Sequence, residues 1–548
     1  MIWQNSFARC APMRTANRTF LLRCSNPRSK NNFCVNTSAL RTSETPPEDT
    51  FDSRTETPLA FRIVRGGAVV AFSTYFLFIF GFGANLILTR LLAPADFGVF
   101  ALGVFFFALL NLRPKLGIDQ AFAQRAVTDA QASGTFAALS ITTGIASLLL
   151  TLLVVPILLF FHYAESVIIV TVTLAMVGVL DSIMGIAWVQ LDKALRFTRV
   201  SIVTLIAFPI SYVPAFYLAL NQGGYWALLA QNAFYALLLL IGLWFTARRE
   251  LPEIWKMRWT FSQALAKQFL RFGIFVGLAT IFATIVYQFD NFLVGTFVNL
   301  ETLGYYDRAY RIAQWSSILV GSVLARTAFY AYSRLQNDVV RLTKTATMSL
   351  WIVTILALPL ALAIFVSADD LVLFLFGEKW LPSALLLKFL VIYSVLRPLL
   401  DDAQSLFVAV GHPRRTTLVT IIQAVALVFV ATPLTLRFNA IGTAIGVGVA
   451  FAVGLGVTYY FVRRTLPALN LREAFLVPTI AALITIFAAT YFASVLNSPA
   501  LPLVIQLIIE TTATILLYLG ITFLFRPALT RERTQYVWRL LRQRELTG

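Results

Sequence analysis

The chain has 548 residues, of which 58% are hydrophobic and only 13% charged, and its mean hydropathy is +0.77. Soluble proteins carry about 25% charged residues, so a water-soluble domain is excluded. The composition predicts an all-α, polytopic membrane protein, because long helices satisfy their own backbone hydrogen bonds in lipid. The three cysteines lie within the first 34 residues and there are two histidines, so the apolar body has no disulfide and no thiolate or histidine metal centre.

Residues 1–60 differ from the rest of the chain. Up to Ser43 they contain seven Lys or Arg and no Asp or Glu, together with many Ser, Thr and Asn. This composition is typical of an organellar transit peptide, but a wrongly chosen start codon in a bacterial gene or a disordered tail fits it as well. Two compartments therefore stay open: the bacterial inner (cytoplasmic) membrane, and a plastid or other organellar membrane.

The body of the chain contains fourteen apolar stretches, most of them long enough to cross a bilayer as helices. Spans 2 and 8 are the least certain of the fourteen, and a short, aromatic-rich turn, ETLGYYDR, is predicted to follow span 7. The predicted limits are 66–89, 97–112, 135–160, 166–190, 200–220, 223–246, 270–298, 309–332, 345–367, 383–410, 416–436, 440–462, 474–494 and 502–525.

An internal repeat divides these spans. A shift of 206 positions, without a gap, aligns Arg65, Gly67, Val70, Thr74, Phe76, Ile79, Asn85 and Gly98 with Arg271, Gly273, Val276, Thr280, Phe282, Ile285, Asn291 and Gly304. Internal repeats in an apolar chain are typical of transporters. The predicted organisation is an N-lobe of six spans (61–248), an interfacial linker (249–269), a C-lobe of six spans (270–464), two further spans (465–526) and a basic cytoplasmic tail (527–548).

The distribution of Lys and Arg predicts the orientation. If the N-terminus is cytoplasmic and the loops alternate, the basic residues concentrate in the cytoplasmic loops, as the positive-inside rule requires. Both termini are then cytoplasmic, and the cationic loops lie against anionic lipid headgroups. The net charge of +18 therefore needs no nucleic acid partner. Of the Lys and Arg residues, the predicted outside loops contain only Arg90, Arg308, Arg311, Lys379 and Arg437.

Span 10 carries the most informative polar face. Tyr393, Arg397, Asp401 and Gln404 follow helical spacing, and Arg397 lies near the middle of the span. Insertion of a charged side chain at this depth costs about 2.5–3.5 kcal/mol, so the presence of Arg397 requires an explanation. One reading is a cavity wall that binds an anionic substrate group, above all a phosphate. The other is an internal pair of Arg397 with Asp401 that neutralises itself.

Further candidates for the cavity wall are Asn291 in span 7, its repeat equivalent Asn85 in span 1, and Asp181 in the inner half of span 4. Asp290, beside Asn291, is a candidate for ion coupling because intramembrane carboxylates often carry protons or ions. Alternatively, Asp290 caps a helix or pairs near the outer surface, for instance with Arg308 or Arg311.

Four strings carry a family resemblance: LTRLLAPADFGVFAL, DNFLVGTFVNLETLGYYDRAYRI, SRLQND and FGEKWLPSALLLKFL. They resemble the polysaccharide transporter (Wzx-like oligosaccharide flippase) family of the multidrug/oligosaccharidyl-lipid/polysaccharide exporter superfamily. The resemblance covers roughly residues 62–530. It implies two six-helix lobes around a V-shaped central cavity, two extra helices, and alternating access that moves a polyprenyl-pyrophosphate-linked oligosaccharide between leaflets.

The predicted function is therefore a flippase for surface polysaccharide biosynthesis, with membrane lipid and the lipid-linked oligosaccharide as partners, and a polysaccharide polymerase or chain-length regulator as a further possible partner. No cofactor or metal is predicted. The alternative is an ion-coupled exporter of small amphiphiles. A membrane glycosyltransferase, ligase or polymerase is disfavoured because the outside loops are short and nearly uncharged. The sequence also has no GxxxxGK[ST] motif for a built-in ATPase.

Overall fold

The computed structural model describes residues 59–125, 129–251, 261–496 and 502–525, with isolated positions 527, 531, 533 and 535. Almost all of the predicted extension 1–60, part of the linker 249–269 and most of the tail 527–548 lie outside the described residues. In the described part of the chain, all regular structure is helical, as expected. Residues Ile63–Gly548 form one compact unit, so the predicted split into two lobes stays a prediction.

Helices follow one another through short turns. In chain order they are α1 (Leu59–Leu91), α2 (Pro94–Leu110), α3 (Ile118–Ala123), α4 (Ala130–Phe160), α5 (Glu165–Lys193), α6 (Phe197–Leu220), α7 (Tyr225–Glu250), α8 (Gln263–Phe297), α9 (Leu300–Leu335), α10 (Val339–Val366), α11 (Ala368–Phe376), α12 (Pro382–Ala409), α13 (Pro413–Thr465), α14 (Leu471–Leu496) and α15 (Leu503–Phe525). Short 3₁₀ turns occupy Pro114–Leu116 and Glu378–Trp380.

Among the described residues, twelve helical segments are long and apolar enough to cross a membrane. One of them, α13, is two helices joined at Phe438 and Asn439, whose backbones are not helical. The long helix α9 is not among the twelve, since Asp307, Arg308 and Arg311 lie within its first half. The membrane fold is therefore as expected, while the count of fourteen spans stays a prediction.

The helix α9 corrects one expectation. The string ETLGYYDR is not a turn but the start of α9, which Asn299 caps: its Oδ1 accepts a hydrogen bond of 2.7 Å from the backbone N–H of Thr302. A capped start of this kind satisfies an N–H group that has no partner within the helix. Asp307, within this stretch, accepts hydrogen bonds from Arg308 and Arg311 of the same helix.

One end of the bundle, named here the first-turn end, contains the turn between α1 and α2. At this end α2 and α9 touch through their backbones. A Cβ atom added to Gly98 would overlap the carbonyl oxygen of Leu300, and one added to Gly304 would overlap the carbonyl oxygen of Pro94. The two glycines are equivalent in the repeat, and so are Pro94 and Leu300, each pair being 206 positions apart. The contact therefore has approximate twofold symmetry.

The opposite end of the bundle is closed differently. There α8 crosses the 3₁₀ turn after α2, and a Cβ atom on Gly273 or Gly277 would overlap the carbonyl oxygen of Leu116 or Lys115. Ala71, the repeat equivalent of Gly277, is exposed on α1. At Ala71, α1 therefore makes no equivalent close contact.

Candidate functional site

Arg397 lies between two helices, near the middle of α12. Its guanidinium carbon is 4.6 Å from the ring centroid of Tyr287 on α8 and 5.7 Å from that of Tyr393 on its own helix. It also donates a hydrogen bond to the Tyr393 hydroxyl. Aromatic faces stabilise a guanidinium electrostatically, and they do so more strongly away from water. The side chain is 25% exposed, so it retains access to a ligand.

Among the described residues, Asp401 is the only carboxylate that forms an ion pair with Arg397. The two groups are not in close contact. The distance from Arg397 Nε to Asp401 Oδ2 is 3.8 Å, whereas a charge-assisted hydrogen bond measures about 2.7–2.9 Å. Nε itself is buried and has no hydrogen-bond partner. Asp401 therefore balances the charge of Arg397 without forming close hydrogen bonds to the N–H groups of the guanidinium.

A stack of tyrosines connects this arginine to Asp290. The rings of Tyr393 and Tyr310 stack with centroids 5.0 Å apart, and Tyr310 stacks on Tyr306 at 6.2 Å. Tyr306 then donates a hydrogen bond of 3.1 Å to Asp290 Oδ2. The stack joins α12, α9 and α8 in one continuous polar and aromatic path.

Asp290 is almost completely buried, with 1% of its surface exposed. Its Oδ1 accepts the backbone N–H of Asn291 at 2.9 Å, and no described cation pairs with it. The alternative pairing with Arg308 or Arg311 is wrong, because both arginines donate to Asp307 Oδ2, at 2.5 and 3.0 Å. A carboxylate without a cation partner is costly to bury, which keeps an ion-coupling role open as a proposal.

The other sequence-predicted residues form separate groups. Asn85 on α1 donates to the Tyr212 hydroxyl of α6 at 3.2 Å, and Asn291 donates to Gln288 Oε1 at 3.1 Å. Gln404 is partly exposed on α12. Each of the three lies in a helix, as predicted. The hydrogen bonds of Asn85 and Asn291 do not involve Arg397.

Asp181 lies in a third group, on α5. Its backbone carbonyl accepts a hydrogen bond of 2.6 Å from Arg113, and both carboxylate oxygens of Asp119 accept from the same guanidinium at 3.1 Å. Arg113 lies flat across Gly185, whose missing side chain makes room for it. This cluster joins α5 to the segment after α2, and its contacts do not reach the group around Arg397.

An apolar cavity of about 590 Å³ opens between α10, α12 and α14. It opens on a different face of α12 from Arg397, and its α12 wall includes Phe389, Ile392 and Leu396. Lys388, at one edge, pairs with Asp369 at 2.5 Å. A cavity with this lining suits a hydrocarbon chain rather than a sugar.

Sequence reasoning missed several residues of the site. The pairing of Tyr287 with an arginine of another helix depends on how α8 packs against α13 and its neighbours. Tyr306 lay in the string taken for a turn, and Tyr310 lay just inside predicted span 8. Tyr306 and Tyr310 are four residues apart, as are Asp307 and Arg311, and this spacing was the signal that the helix continues.

A family model described as "Polysaccharide biosynthesis protein" matches residues 87–385. The chain belongs to this family. The matched region extends from the end of α1 through the start of α12, and it includes Asp290, Tyr306 and both sides of the first-turn contact. Arg397 lies beyond it.

Three bacterial relatives of the polysaccharide biosynthesis family are similar in sequence. TuaB of Bacillus subtilis, a teichuronic acid biosynthesis protein, is 26% identical over 305 residues, which cover 54% of this chain and 61% of TuaB. ExoT of Rhizobium meliloti, a succinoglycan biosynthesis transport protein, is 26% identical over 36% of this chain and 38% of ExoT. WzxC of Escherichia coli, a lipopolysaccharide biosynthesis protein, is 26% identical over 27% of this chain and 30% of WzxC. The matches span less than two thirds of each of these relatives.

Two solved structures show the same fold. The lipid II flippase MurJ, in an inward closed conformation, superposes with a TM-score of 0.67 at 13% identity and covers 84% of this chain and all of MurJ. An inward-facing multidrug resistance MATE family transporter of the MOP superfamily has a TM-score of 0.58 at 16% identity, over 72% of this chain and 95% of the transporter. At these identities the likeness establishes the architecture.

Proposed function

We propose that this chain is a flippase that moves a polyprenyl-pyrophosphate-linked oligosaccharide across a membrane by alternating access. The observation that carries the proposal is the position of Arg397: a guanidinium in mid-helix, held between Tyr287 and Tyr393 and only loosely paired with Asp401. A guanidinium binds the oxygens of a phosphate through several donors at once. Arg397 would hold the pyrophosphate, with Asp401 and Gln404 beside it.

The lipid half of the substrate has a matching surface. The apolar cavity between α10, α12 and α14 lies on a different face of α12 from Arg397 and would take part of the polyprenyl chain. Burial of each methylene contributes about 0.8 kcal/mol, so a few isoprene units account for substantial affinity. The sugar head would pass on the polar side of the same helix, where Asn85, Asn291 and Asp181 are candidates for its contacts.

The second candidate function is ion-coupled export of small amphiphilic compounds. One observation favours it: Asp290 is buried in α8 with a tyrosine hydroxyl and a backbone amide as its partners. Coupling through Asp290 is compatible with either substrate, so this residue alone does not decide between them.

The relatives are bacterial, and we propose a bacterial inner membrane as the location, with both termini cytoplasmic and the first-turn end facing outward. A plastid or other organellar membrane is the alternative if residues 1–60 are a transit peptide. A polysaccharide polymerase and a chain-length regulator are proposed partners.

The test is transport in proteoliposomes. A fluorescent polyprenyl-pyrophosphate oligosaccharide in one leaflet becomes accessible to an impermeant quencher as it crosses. Arg397→Ala removes the phosphate donors and should abolish crossing. Arg397→Lys keeps the charge but loses the planar donor set and the aromatic stacking, so it should retain a small fraction of the rate.

Arg341→Ala is the matched control, because Arg341 forms an exposed pair with Asp338 and should leave crossing unchanged. Full crossing by folded Arg397→Ala protein would refute the assignment of Arg397. If wild-type protein moves no lipid-linked oligosaccharide but exports an amphiphilic dye under an ion gradient, and Asp290→Asn abolishes that export, the second candidate function is correct.

A further inference from the structure

The first-turn end contains a set of contacts that the proposed substrate site does not use. They join the C-terminus of α1, in the first repeat, to the segment Phe374–Trp380, in the second. Every helix leaves its last four carbonyl groups without partners in the helix. Here the carbonyls at the ends of α1 and α11 are bonded by side chains of the other repeat.

Two side chains of the second repeat cap α1. Lys379 Nζ donates to the carbonyl oxygens of Arg90 at 2.7 Å and Leu92 at 2.8 Å. The indole N–H of Trp380 donates to the carbonyl oxygen of Thr89 at 2.9 Å. A cation at a helix C-terminus also interacts favourably with the helix dipole. Both donors come from the turn after α11.

The reverse contact comes from α1. Arg90 donates through Nε to the carbonyl oxygen of Leu375 at 2.9 Å, and through Nη2 to that of Phe374. These are carbonyls of the last turn of α11. Each helix end is thus capped by a basic residue attached to the other, and neither cap survives if the two repeats separate here.

The surrounding packing supports the same closure. Trp380 is fully buried, and its ring meets Phe97 of α2 edge to face at 5.6 Å. Arg308 of α9, which is 4% exposed, lies 4.1 Å from the ring centroid of Phe97 and donates to the Thr89 hydroxyl at 3.4 Å. Gly98, which makes the backbone contact with Leu300, is the next residue of α2 after Phe97.

We infer that Arg90, Lys379 and Trp380 form a latch that holds the first-turn end closed and that must release before the substrate leaves at that end. The inference rests on the alternating access of the proposed function. Opening at one end requires the two repeats to separate there, and the latch is the set of side-chain hydrogen bonds that this separation breaks.

The test follows the opening of each end separately, without substrate. The full chain, with Cys10, Cys24 and Cys34 replaced by Ser, receives one reporter cysteine and is labelled with a maleimide in lipid nanodiscs. Ala101→Cys reports the first-turn end, since Ala101 is buried on the Gly98 face of α2. Ala266→Cys reports the opposite end, where Ala266 packs beside Phe122 and Phe269.

Lys379→Met, Arg90→Met and Trp380→Phe each remove donors of the latch while keeping bulk. Each should raise the labelling rate of Ala101→Cys about two- to fivefold, the range expected for the loss of a C-terminal cap, and should not raise that of Ala266→Cys. Lys388→Met is the matched control: Lys388 is basic and lies in the same region, but its ion pair with Asp369 stays within the second repeat.

Labelling of Ala101→Cys that stays at the level of the Lys388→Met control would overturn the latch. An equal rise at both reporters would also overturn it, because it would indicate general loosening rather than opening of one end. The result is independent of the substrate: a confirmed latch in a protein that moves no lipid-linked oligosaccharide would refute the proposed function alone.

Discussion

Tyr306 shows how a single side chain stabilises a buried charge in this protein. Its hydroxyl is one of two polar partners of Asp290 described here, and both residues are almost completely buried. Removing one partner of a buried acceptor costs about 1–3 kcal/mol, because the desolvated group is left unsatisfied. The hydrogen bond from Tyr306 therefore contributes to the stability of the folded protein at this position.

Tyr306→Phe should consequently lower the thermal unfolding midpoint of the purified protein by an amount equivalent to ~1–3 kcal/mol. Tyr305→Phe is the matched control, since the Tyr305 hydroxyl donates to Glu301 on an exposed surface. The control should unfold close to the wild-type temperature. Equal midpoints for the two variants would show that the bond between Tyr306 and Asp290 contributes nothing.

Individual residues were predictable where helical spacing alone places them. Tyr393, Arg397 and Asp401 share one face, as the spacing indicated. Partners on other helices were not predictable, because which helix faces Arg397 depends on the packing of the whole bundle. Asp402 is an example: it is 5% exposed and accepts a hydrogen bond of 2.7 Å from Ser349 of α10.

At the scale of the helices, the contact of α2 with α9 depends on two positions without side chains. A Cβ atom at Gly98 would overlap a carbonyl of α9, while Gly83 in α1 has open space around it. Both glycines lie inside helices, where alanine is intrinsically favoured by about 1 kcal/mol. The same substitution should therefore have opposite effects at the two positions.

Gly98→Ala should lower the unfolding midpoint, because forcing an extra methyl into a packed contact costs ~1–3 kcal/mol. Gly83→Ala should leave the midpoint unchanged or raise it slightly. Thermal unfolding in detergent compares the two directly. A stabilised Gly98→Ala protein would mean that α2 and α9 do not touch through their backbones.

Most helices agree with the apolar stretches that predicted them, including the separation of spans 11 and 12. That break falls at Phe438 and Asn439, and Asn439 adopts φ = 54° and ψ = −144°, a backbone conformation that ends the first helix. The start of α9 was misplaced, because the string ETLGYYDR was read as a turn. Asp307 instead pairs with Arg308 and Arg311 of the same helix, and the helix continues through them.

For the molecule as a whole, the orientation in the membrane is the open prediction. The charge distribution places the start of α5 outside the cell and its end in the cytoplasm. Glu165 and Ala194, at these two positions, are both exposed. A cysteine at Glu165 should react with an impermeant maleimide in intact cells, and a cysteine at Ala194 should react only after permeabilisation. The reverse pattern would contradict the predicted orientation.

Overall architecture was predictable because composition, span length and the repeat are properties of the sequence as a whole. Apolar stretches of about 20 residues leave helices as the structure for the body, and the 206-residue shift indicated duplication. The crossing of α8 over the turn after α2 was not predictable, because small residues such as Gly273 and Gly277 do not indicate which element packs against them.

The paired contact at the first-turn end has a consequence for the origin of the molecule. Each repeat presents the same glycine, and each glycine fits against the same position of the other repeat, Pro94 or Leu300. A surface that fits a second copy of itself in this way is the interface of a twofold homodimer. A gene encoding a single repeat would already have encoded both sides of this contact, so two identical subunits would have met there before duplication fused them into one polypeptide.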